Sequence, residues 1–288
     1  MEYWQWSARV CCLGSFTCTD YVIVDMRARL RRWLAPLDPS SDLRRSLKLR
    51  SANTGTWYLQ SKRYRDLKHS DIAVPWTWLY GSAGCGKTIL SAGIIEDLVQ
   101  HCREYSGRAL AYFFFDFNDA AKQDTDNMLR SILSQLLEKC QSVPGTLHSA
   151  IELGANDTQP PSTEQLLSSL MTVVEVLPTT FIVIDALDEC SAREDLFAAL
   201  ERLCNGGSRS LRVILTSRRE TDIEDALESL VPYSTRTCLE TSLVDKDIQT
   251  FVHERLTLDK SFRRWQKDVE LQAEIEAAIE SRAGGMYE

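Results

Sequence analysis

The sequence predicts an α/β protein in which helices cover both faces of a mainly parallel, doubly wound sheet. Two observations support this prediction. From Trp76 onward, short apolar segments alternate with segments whose apolar residues recur at helical spacing, which is typical of a parallel sheet with right-handed crossovers. Some apolar segments are also apolar at consecutive positions, as strands buried on both faces are. Helical segments precede and follow this region, so we expect a three-layer core flanked by helices.

The region before the sheet is basic and helical in character. The segment from Met26 to Leu47 is rich in arginine and is interrupted by Pro36 and Pro39, residues that end helices. A solvated helix face is the ordinary meaning of such a charge run, and a linker docked onto a neighbouring element is the alternative. Residues 54–67 predict a short apolar anchor followed by a helix.

The alternating region divides into strand segments and helical segments. We predict strands within 76–81, 109–117, 181–190, 210–219 and 235–240. We predict helices at 88–101, 124–140, 163–177, 194–204 and 221–231. Ser162 and Gln165 fit a capping box before the third of these helices, and after Thr241 the pattern is helical throughout.

The composition narrows the class of protein. With 44% hydrophobic and 26% charged residues among 288, the chain is ordinary globular protein. A net charge of −8 argues against non-specific electrostatic binding of nucleic acid over the whole surface, so we predict no nucleic-acid partner. The nine cysteines follow no framework spacing, and we expect reduced thiols in a cytoplasmic protein. We find no secretory signal and no apolar run of about 18 residues, so we predict no membrane partner.

A glycine-rich segment joins the first strand to the first helix of the alternating region. Its sequence, GSAGCGKT at 81–88, matches the phosphate-binding pattern GxxxxGK[ST]. Such a loop wraps a polyphosphate with its backbone N–H groups, which requires glycine where side chains would block the approach or φ is positive. Lys87 supplies charge for the phosphate oxygens and Thr88 offers a hydroxyl to Mg²⁺. The predicted nucleotide-binding residues are Gly81, Gly84, Cys85, Gly86, Lys87 and Thr88.

The strand segment FIVIDALDEC ends in acidic residues. Asp185 follows four apolar residues and is expected at the carboxyl edge of the sheet, where ligands bind in such folds. We predict that Asp185, together with Thr88, binds Mg²⁺ directly or through water. Glu189 is the predicted general base or water-positioning residue, and Asp188 is grouped with it as a second catalytic carboxylate. The alternative is that Asp188 and Glu189 cap the next helix or lie in solvent.

The strand segment VILTSRR also ends in polar residues. A Thr216 or Ser217 at the strand end can sense the γ-phosphate, and Arg218 is the predicted residue that stabilises the charge developing there. Arg219 makes the choice of a single arginine uncertain, and pairing with a surface carboxylate is the alternative for either one.

Missing motifs favour adenine over guanine nucleotides. Neither DxxG after the second strand nor NKxD occurs in register. Asp188 and Glu189 form an acidic pair after Asp185, and a further strand is expected between the strand that ends at Asp185 and the strand before the phosphate loop. This arrangement is typical of ATPases that carry an added catalytic glutamate. Three functions stay open: an ATP-dependent switch, a scaffold that binds nucleotide without hydrolysing it, and a metabolic phosphotransferase whose acceptor pocket the sequence does not identify.

Several of these motifs together resemble the NACHT-type, or STAND, P-loop NTPases. GSAGCGKT, AYFFFDFNDAAKQDTDNMLRSILSQLL, FIVIDALDEC and VILTSRRETDIEDAL are most similar to the nephrocystin-like NACHT modules of fungal NOD-like receptors. The resemblance covers about residues 25–285. It implies an ATP/ADP or GTP switch with slow hydrolysis, nucleotide-driven self-association, and signalling in cell death or non-self recognition. It also implies that the anchor around Trp57 and Tyr58 lies near the base.

On this basis we divide the chain into an irregular segment (1–24), a helical linker or anchor (25–74), a NACHT nucleotide-binding domain (75–241) and an incomplete helical lid (242–288). The sequence departs from the family pattern in two respects. Effector and sensor domains are expected outside this chain, and the sequence stops where the family normally continues through its lid, so we expect a truncated chain. Arg219 also stands where a proline is common.

Overall fold

The computed structural model describes residues 27–51, 54–69, 76–140, 160–206 and 210–239, with further positions at 247, 252–253, 256–257, 270–275 and 278. The predicted irregular segment 1–24 lies outside the described residues. So does most of the segment after Thr241, whose described positions from 247 onward are helical.

Five strands form one sheet in the described part of the chain. They are β1 (Trp76–Tyr80), β2 (Arg108–Phe114), β3 (Thr179–Asp185), β4 (Leu211–Ser217) and β5 (Arg236–Cys238). Their spatial order is β2-β3-β4-β1-β5, and every neighbouring pair is parallel. The predicted parallel, doubly wound sheet is confirmed, and β4 is the further strand expected between β3 and β1.

Helices precede, connect and follow these strands. α1 covers residues 27–34. The others are α2 (Ser40–Leu49), α3 (Thr56–Leu59), α4 (Lys62–His69), α5 (Lys87–Glu104), α6 (Thr125–Leu137), α7 (Thr163–Val176), α8 (Arg193–Asn205) and α9 (Thr221–Glu228). The break between α1 and α2 contains Pro36 and Pro39, as predicted.

Several predicted elements end earlier in the structure, including β3 at Asp185 and α6 at Leu137, and the reason is visible for β2 and α9. β2 ends at Phe114 rather than at 117, because Asp116 forms a turn that accepts the amides of Asn118 on its side chain and Asp119 on its carbonyl. α9 ends at Glu228 rather than at 231. The chain tightens there as two successive amides, at 230 and 231, donate to the carbonyl of Leu227, and a proline follows.

The sheet carries a hydrophobic core on each face because side chains alternate along its strands. Along β1, Trp76 and Trp78 enter the cluster formed with α6, α7 and α8, while Leu79 enters the cluster formed with α3, α4 and α5. This gives the predicted three layers, with α1 added to the first cluster. The loops at the carboxyl ends of the strands are left to carry polar residues.

Helix starts follow the predicted chemistry. Ser162 and Gln165 form the full capping box of α7. Asp124 caps α6 by accepting the amide of Asn127 at 2.8 Å. These caps satisfy amides that have no partner inside the helix, so the positions of α6 and α7 are fixed locally.

Two of the histidines contact each other in the layer formed by α4 and α5. The rings of His69 and His101 lie 4.9 Å apart, edge to face. His101 is buried, and an Nη1 of Arg108 lies 2.5 Å from its Nε2. Burial and the charge of Arg108 lower the pKa of His101 to about 4, so the ring is neutral and accepts from the arginine. His148 lies outside the described residues.

Within the described residues, no helix is long and apolar enough to cross a membrane. Nor does that part of the chain contain a group of three or more His, Cys, Asp or Glu side chains arranged to hold a metal ion. Its cysteines are free thiols at positions 85, 102, 140, 190, 204 and 238.

Candidate functional site

The predicted phosphate loop connects β1 to α5. Gly84 and Gly86 have φ angles of 72° and 90°, in the left-handed region that favours glycine. Gly81 has no such angle, but a Cβ there would lie 2.7 Å from the Sγ of Cys85. Backbone conformation therefore requires two of the glycines, and close packing requires the third.

The ammonium group of Lys87, the first residue of α5, lies over this loop. Its Nζ donates to the carbonyl oxygens of Gly81 at 2.9 Å and Ser82 at 2.6 Å, and lies 3.7 Å from the Sγ of Cys85. The loop cation thus lies beside the N-terminus of an 18-residue helix, whose unpaired amides favour anions. Two sources of positive potential converge where the sequence predicts the phosphates.

Three hydroxyl groups donate to the carboxylate of Asp185 at the end of β3. Thr88 reaches Oδ2 at 2.7 Å, and Ser91 and Thr216 each reach Oδ1 at 2.6 Å. Burial raises the pKa of Asp185, while these hydroxyls and the charge of Lys87 oppose that rise. The structure therefore brings the two predicted Mg²⁺ ligands, Thr88 and Asp185, together.

Ser91 is the residue of this cluster that the sequence analysis missed. It follows Thr88 by three positions on α5, so both side chains lie on one face of the helix. That spacing was the available signal. It could not be used without knowing that β3 ends beneath this face of α5.

The hydroxyls at the end of β4 support the structure around the acidic motif. Thr216 accepts the amide of Ala186 at 3.0 Å in addition to donating to Asp185. Ala186 has a φ of 59°, and this bond holds that strained turn. Ser217 accepts from the indole of Trp78 at 2.8 Å. Both hydroxyls are fully buried, and these contacts are internal to the protein.

Asp188 is tied to the loop that follows β4. Its carboxylate accepts the backbone amide of Arg218 at 2.9 Å and lies 3.1 Å from the Nε of the same residue. The Asp188 side chain is 5% exposed, whereas that of Arg218 is 50% exposed. The acid therefore orients an accessible guanidinium. The suggestion that Asp188 or Glu189 caps the next helix is wrong, because the N-cap residue of α8 is Ala192 and no side chain caps this helix.

Glu189 faces the loop that follows β2. Its Oε2 accepts the backbone amide of Phe117 at 3.0 Å. Partial burial raises the pKa of Glu189, and the nearby carboxylates of Asp188, Asp185 and Asp116 add to the rise. A glutamate with a raised pKa beside a buried aspartate is suited to accept a proton from water.

The second arginine of the TSRR segment turns away from this cluster. Arg219 forms an ion pair with Glu224 at 2.9 Å and lies over the ring of Tyr80. The alternative of a surface pair therefore describes Arg219. Arg218 is the arginine held beside the acidic motif, and its role at the γ-phosphate stays a prediction.

The residues present fit a nucleotide with Mg²⁺. Gly84 and Gly86 hold the loop backbone at positive φ, a conformation that backbone cradles for phosphate use. Thr88 and Asp185 supply oxygen donors, the type that Mg²⁺ prefers. A cavity of about 20 Å³ continues from the helix side of the loop, between Gly86, Ile89, Leu90, Trp57 and Asp247.

Comparison with known proteins agrees with the resemblance seen in the motifs. Residues 53–218, more than half of the chain, match the family described as Nephrocystin 3, N-terminal. Over 218 residues the chain is 25% identical to the vegetative incompatibility protein HET-E-1 of Podospora anserina. That alignment covers 73% of this chain but only 16% of the relative.

Solved structures with a similar arrangement are more distant. The chain matches Drosophila ORC bound to DNA with a TM-score of 0.43, 15% identity, and coverage of 85% of this chain and 59% of that one. It matches domain III of the Thermotoga maritima replication initiation protein DnaA with a TM-score of 0.41, 11% identity, and coverage of 88% and 85%. At these scores the likenesses carry no conclusion about ligands or partners.

Proposed function

Because this chain belongs to the family described as Nephrocystin 3, N-terminal, it carries an NTPase module, and we propose that it is an ATP/ADP switch that hydrolyses ATP slowly with Mg²⁺. The observation that supports this best is the chain of bonds from Thr88 through Asp185 to Thr216. These residues come from the phosphate loop, β3 and β4. A change in the position of Thr88 at the phosphates would therefore be transmitted to the ends of β3 and β4.

The proposed chemistry assigns a task to each residue. Mg²⁺, when bound, would neutralise phosphate charge and would be held by Thr88 and Asp185. Lys87 would exchange the carbonyls of Gly81 and Ser82 for phosphate oxygens. Backbone amides of the loop would cradle the phosphates, as the positive φ angles of its glycines favour.

The two acidic residues after Asp185 take different roles in this proposal. Glu189, held by the amide of Phe117, would orient the attacking water and accept its proton. Asp188 would act as a positioning residue, because it touches Arg218 rather than any reacting atom. Arg218 would stabilise the charge that develops on the γ-phosphate.

The wider role is proposed from the family and the relative. We propose a cytoplasmic protein that self-associates in a nucleotide-dependent way and signals in cell death or non-self recognition. The supporting finding is the similarity to a vegetative incompatibility protein. Since the chain spans 16% of that protein's length, effector and sensor activities of the relative remain part of the proposal.

Nucleotide binding is tested by thermal unfolding with ATP, ADP or GTP and Mg²⁺. A ligand at 100 times its dissociation constant adds about 2.7 kcal/mol of stability. We expect this gain with ATP or ADP for the wild type, and its loss in Lys87→Ala. Lys48→Ala, at an exposed position on α2, is the matched control and keeps the gain. Equal gains in both variants would contradict the assigned role of Lys87.

A scaffold that binds nucleotide without hydrolysing it is the second candidate. The observation that favours it is that Oε2 of Glu189 already accepts a hydrogen bond from the Phe117 amide, so this oxygen is engaged within the protein rather than with a water. Single-turnover hydrolysis separates the two candidates. The switch predicts that Glu189→Gln abolishes hydrolysis while nucleotide binding persists, whereas the scaffold predicts no hydrolysis by the wild type.

A further inference from the structure

A further cavity, with a volume of about 730 Å³, lies beside the edge strand β2. Its walls come from β2, the last turns of α5, the second half of α6 and the link between α1 and α2. Pockets that bind small molecules measure about 300–1,000 Å³, so this cavity has the size of a ligand site. It is separate from the phosphate loop, because Arg103 in its wall and Lys87 of the loop lie at opposite ends of α5, about 24 Å apart along the helix.

The backbone of β2 presents unused hydrogen-bonding groups to this cavity. Just after β2, the amide of Phe115 donates to the carbonyl of Asp185 in β3 at 3.1 Å. Tyr112 instead turns its amide and carbonyl to the side chain of Gln135, away from β3. Because backbone direction alternates along a strand, the amide and carbonyl of Leu110 also face away from β3. They have no partner among the described residues, so the edge offers a ligand one donor and one acceptor.

Ser134 of α6 adds a buried hydroxyl to the wall. Its side chain lines the cavity and is only 8% exposed. Ser131, one turn earlier, donates its hydroxyl to the carbonyl of Leu37 at 2.8 Å, whereas the hydroxyl of Ser134 makes no hydrogen bond within the described part of the chain. Burying a polar group without a partner is unfavourable. A polar ligand in the cavity would supply the missing partner.

The cavity is positively charged, although the whole chain has a net charge of −8. Four basic side chains line it, against two carboxylates. Both carboxylates are engaged, because Glu138 pairs with Arg31 and Asp38 accepts the amide and the hydroxyl of Ser40, each at 2.9 Å. The remaining cations have no carboxylate partner in the ranges that the structure describes, and they are Arg103, Arg108 and Lys139.

Arg108 is held in place by neighbours that carry no negative charge. Its Nη1 lies 2.5 Å from Nε2 of His101, and its Cζ lies 4.0 Å from the ring centre of Tyr105. Burial raises the pKa of Cys102 to about 11, and the charges of Arg108 and Lys139 oppose this rise, so both cations act at the same wall. A positioned guanidinium without a counter-charge is suited to bind a carboxylate or phosphate.

We propose that this cavity binds a small organic anion, whose carboxylate or phosphate group pairs with Arg108 and Lys139 and whose polar body contacts Leu110 and Ser134. The fixed positive charge selects the anionic group. The free backbone groups and the buried hydroxyl select a ligand that also carries hydroxyl or carbonyl groups. This site is independent of the proposed nucleotide chemistry, since it shares none of the residues assigned to that chemistry.

An acidic peptide paired along β2 is the alternative occupant. The side chain of Gln135 already bonds the amide and the carbonyl of Tyr112 at 3.1 and 2.8 Å. A peptide strand would have to displace this side chain or end beside it, which leaves only Arg108 and Leu110 for pairing. Strands in sheets are usually longer than that, so the geometry favours a small ligand.

The experiment measures binding of glucose 6-phosphate and citrate to the full chain by calorimetry, with glucose as the uncharged control. Arg103→Glu and Lys139→Glu reverse a charge at exposed positions of the cavity, and Arg65→Glu, exposed on α4 outside it, is the matched control. A hydrogen bond to a charged group is worth about tenfold in affinity. We expect at least one of the two anions to bind the wild type and Arg65→Glu equally, and each cavity variant about tenfold more weakly. Glucose is expected not to bind.

Two further variants locate the bound anion. Ser134→Ala should weaken binding about threefold, as loss of a neutral hydrogen bond does. Lys87→Ala, at the phosphate loop, should leave the affinity for the anion unchanged. Loss of binding in Lys87→Ala would place the anion at the phosphate loop and overturn the proposal. ATP affinity is measured on the same variants and should not change in Lys139→Glu, so this site and the proposed function are tested separately.

The remaining outcomes are also decisive. If neither anion binds the wild type, or if the bound anion has the same affinity for the wild type, Arg103→Glu and Lys139→Glu, the cavity is not an anion site. A short glutamate-rich peptide is tested in parallel. Binding of this peptide alone, without either small anion, would overturn the proposal in favour of a protein partner along β2.

Discussion

Replacing Thr216 by valine tests whether β4 supports the acidic motif. The side chain is fully buried, donates to Asp185 and accepts the amide of Ala186. Valine has the same shape but neither function. The amide left without its acceptor costs about 1–3 kcal/mol, and the lost bond to a charged group about 1.5–3 kcal/mol. Because the neighbours adjust in part, we expect unfolding to be easier by about 2–4 kcal/mol.

Thr180 provides a matched control on the neighbouring strand. It too is fully buried, but its hydroxyl has no hydrogen-bond partner in the described part of the chain. Thr180→Val therefore removes an unsatisfied group and should be neutral or stabilising. The assay is urea unfolding of the nucleotide-free protein, followed by circular dichroism, with the free energy extrapolated to water.

The pH dependence of stability provides a second test of Thr216→Val. The folded-state pKa of Asp185 is raised, so its ionised form costs stability, and that cost disappears as the pH falls through the raised value. Losing one donor raises this pKa further. The gap in stability between Thr216→Val and the wild type should therefore narrow on acidification. The reasoning is refuted if Thr216→Val costs no more than Thr180→Val at neutral pH.

Two further predictions concern the proposed hydrolysis. Since the pKa of Glu189 is raised, the rate of single-turnover hydrolysis should begin to fall on acidification at a pH above the ordinary pKa range of glutamate. A rate that falls only at the ordinary pKa of glutamate would contradict Glu189 as the base. Arg218→Ala should slow hydrolysis more than Asp188→Asn, because the first change removes the guanidinium and the second only loosens it. The double variant should be no slower than Arg218→Ala, because Asp188 acts only through Arg218; additive losses would mean that the two residues act separately.

The motifs with local spacing were predicted well from the sequence. The phosphate loop lies between β1 and α5 as expected, and its glycines have the positive φ angles or close contacts that the pattern requires. Asp185 falls at the end of β3. The capping box of Ser162 and Gln165 is present. Each of these features depends on residues a few positions apart, so periodicity and turn chemistry are sufficient to find them.

Element ends and edges were predicted less well. The turn at Asp116 ends β2 early because of a side-chain bond that competes with the strand. β2 is also an edge strand, and the side chain of Gln135 bonds both the amide and the carbonyl of Tyr112 at that edge. A glutamine that takes the place of a neighbouring strand has no signature in a single sequence.

The α/β class, the phosphate loop and the acidic residues at a strand end follow from the order of residues along the chain, so one sequence is sufficient to predict them. Other contacts are visible only in the fold: Ser91 and Thr216 donate to Asp185, Arg218 rather than Arg219 meets Asp188, and Asp247 reaches Gly55. The physical reason is that these contacts join elements far apart in sequence. Their partners are chosen by strand order and by which helix crosses which face, and neither leaves a periodic trace in the chain.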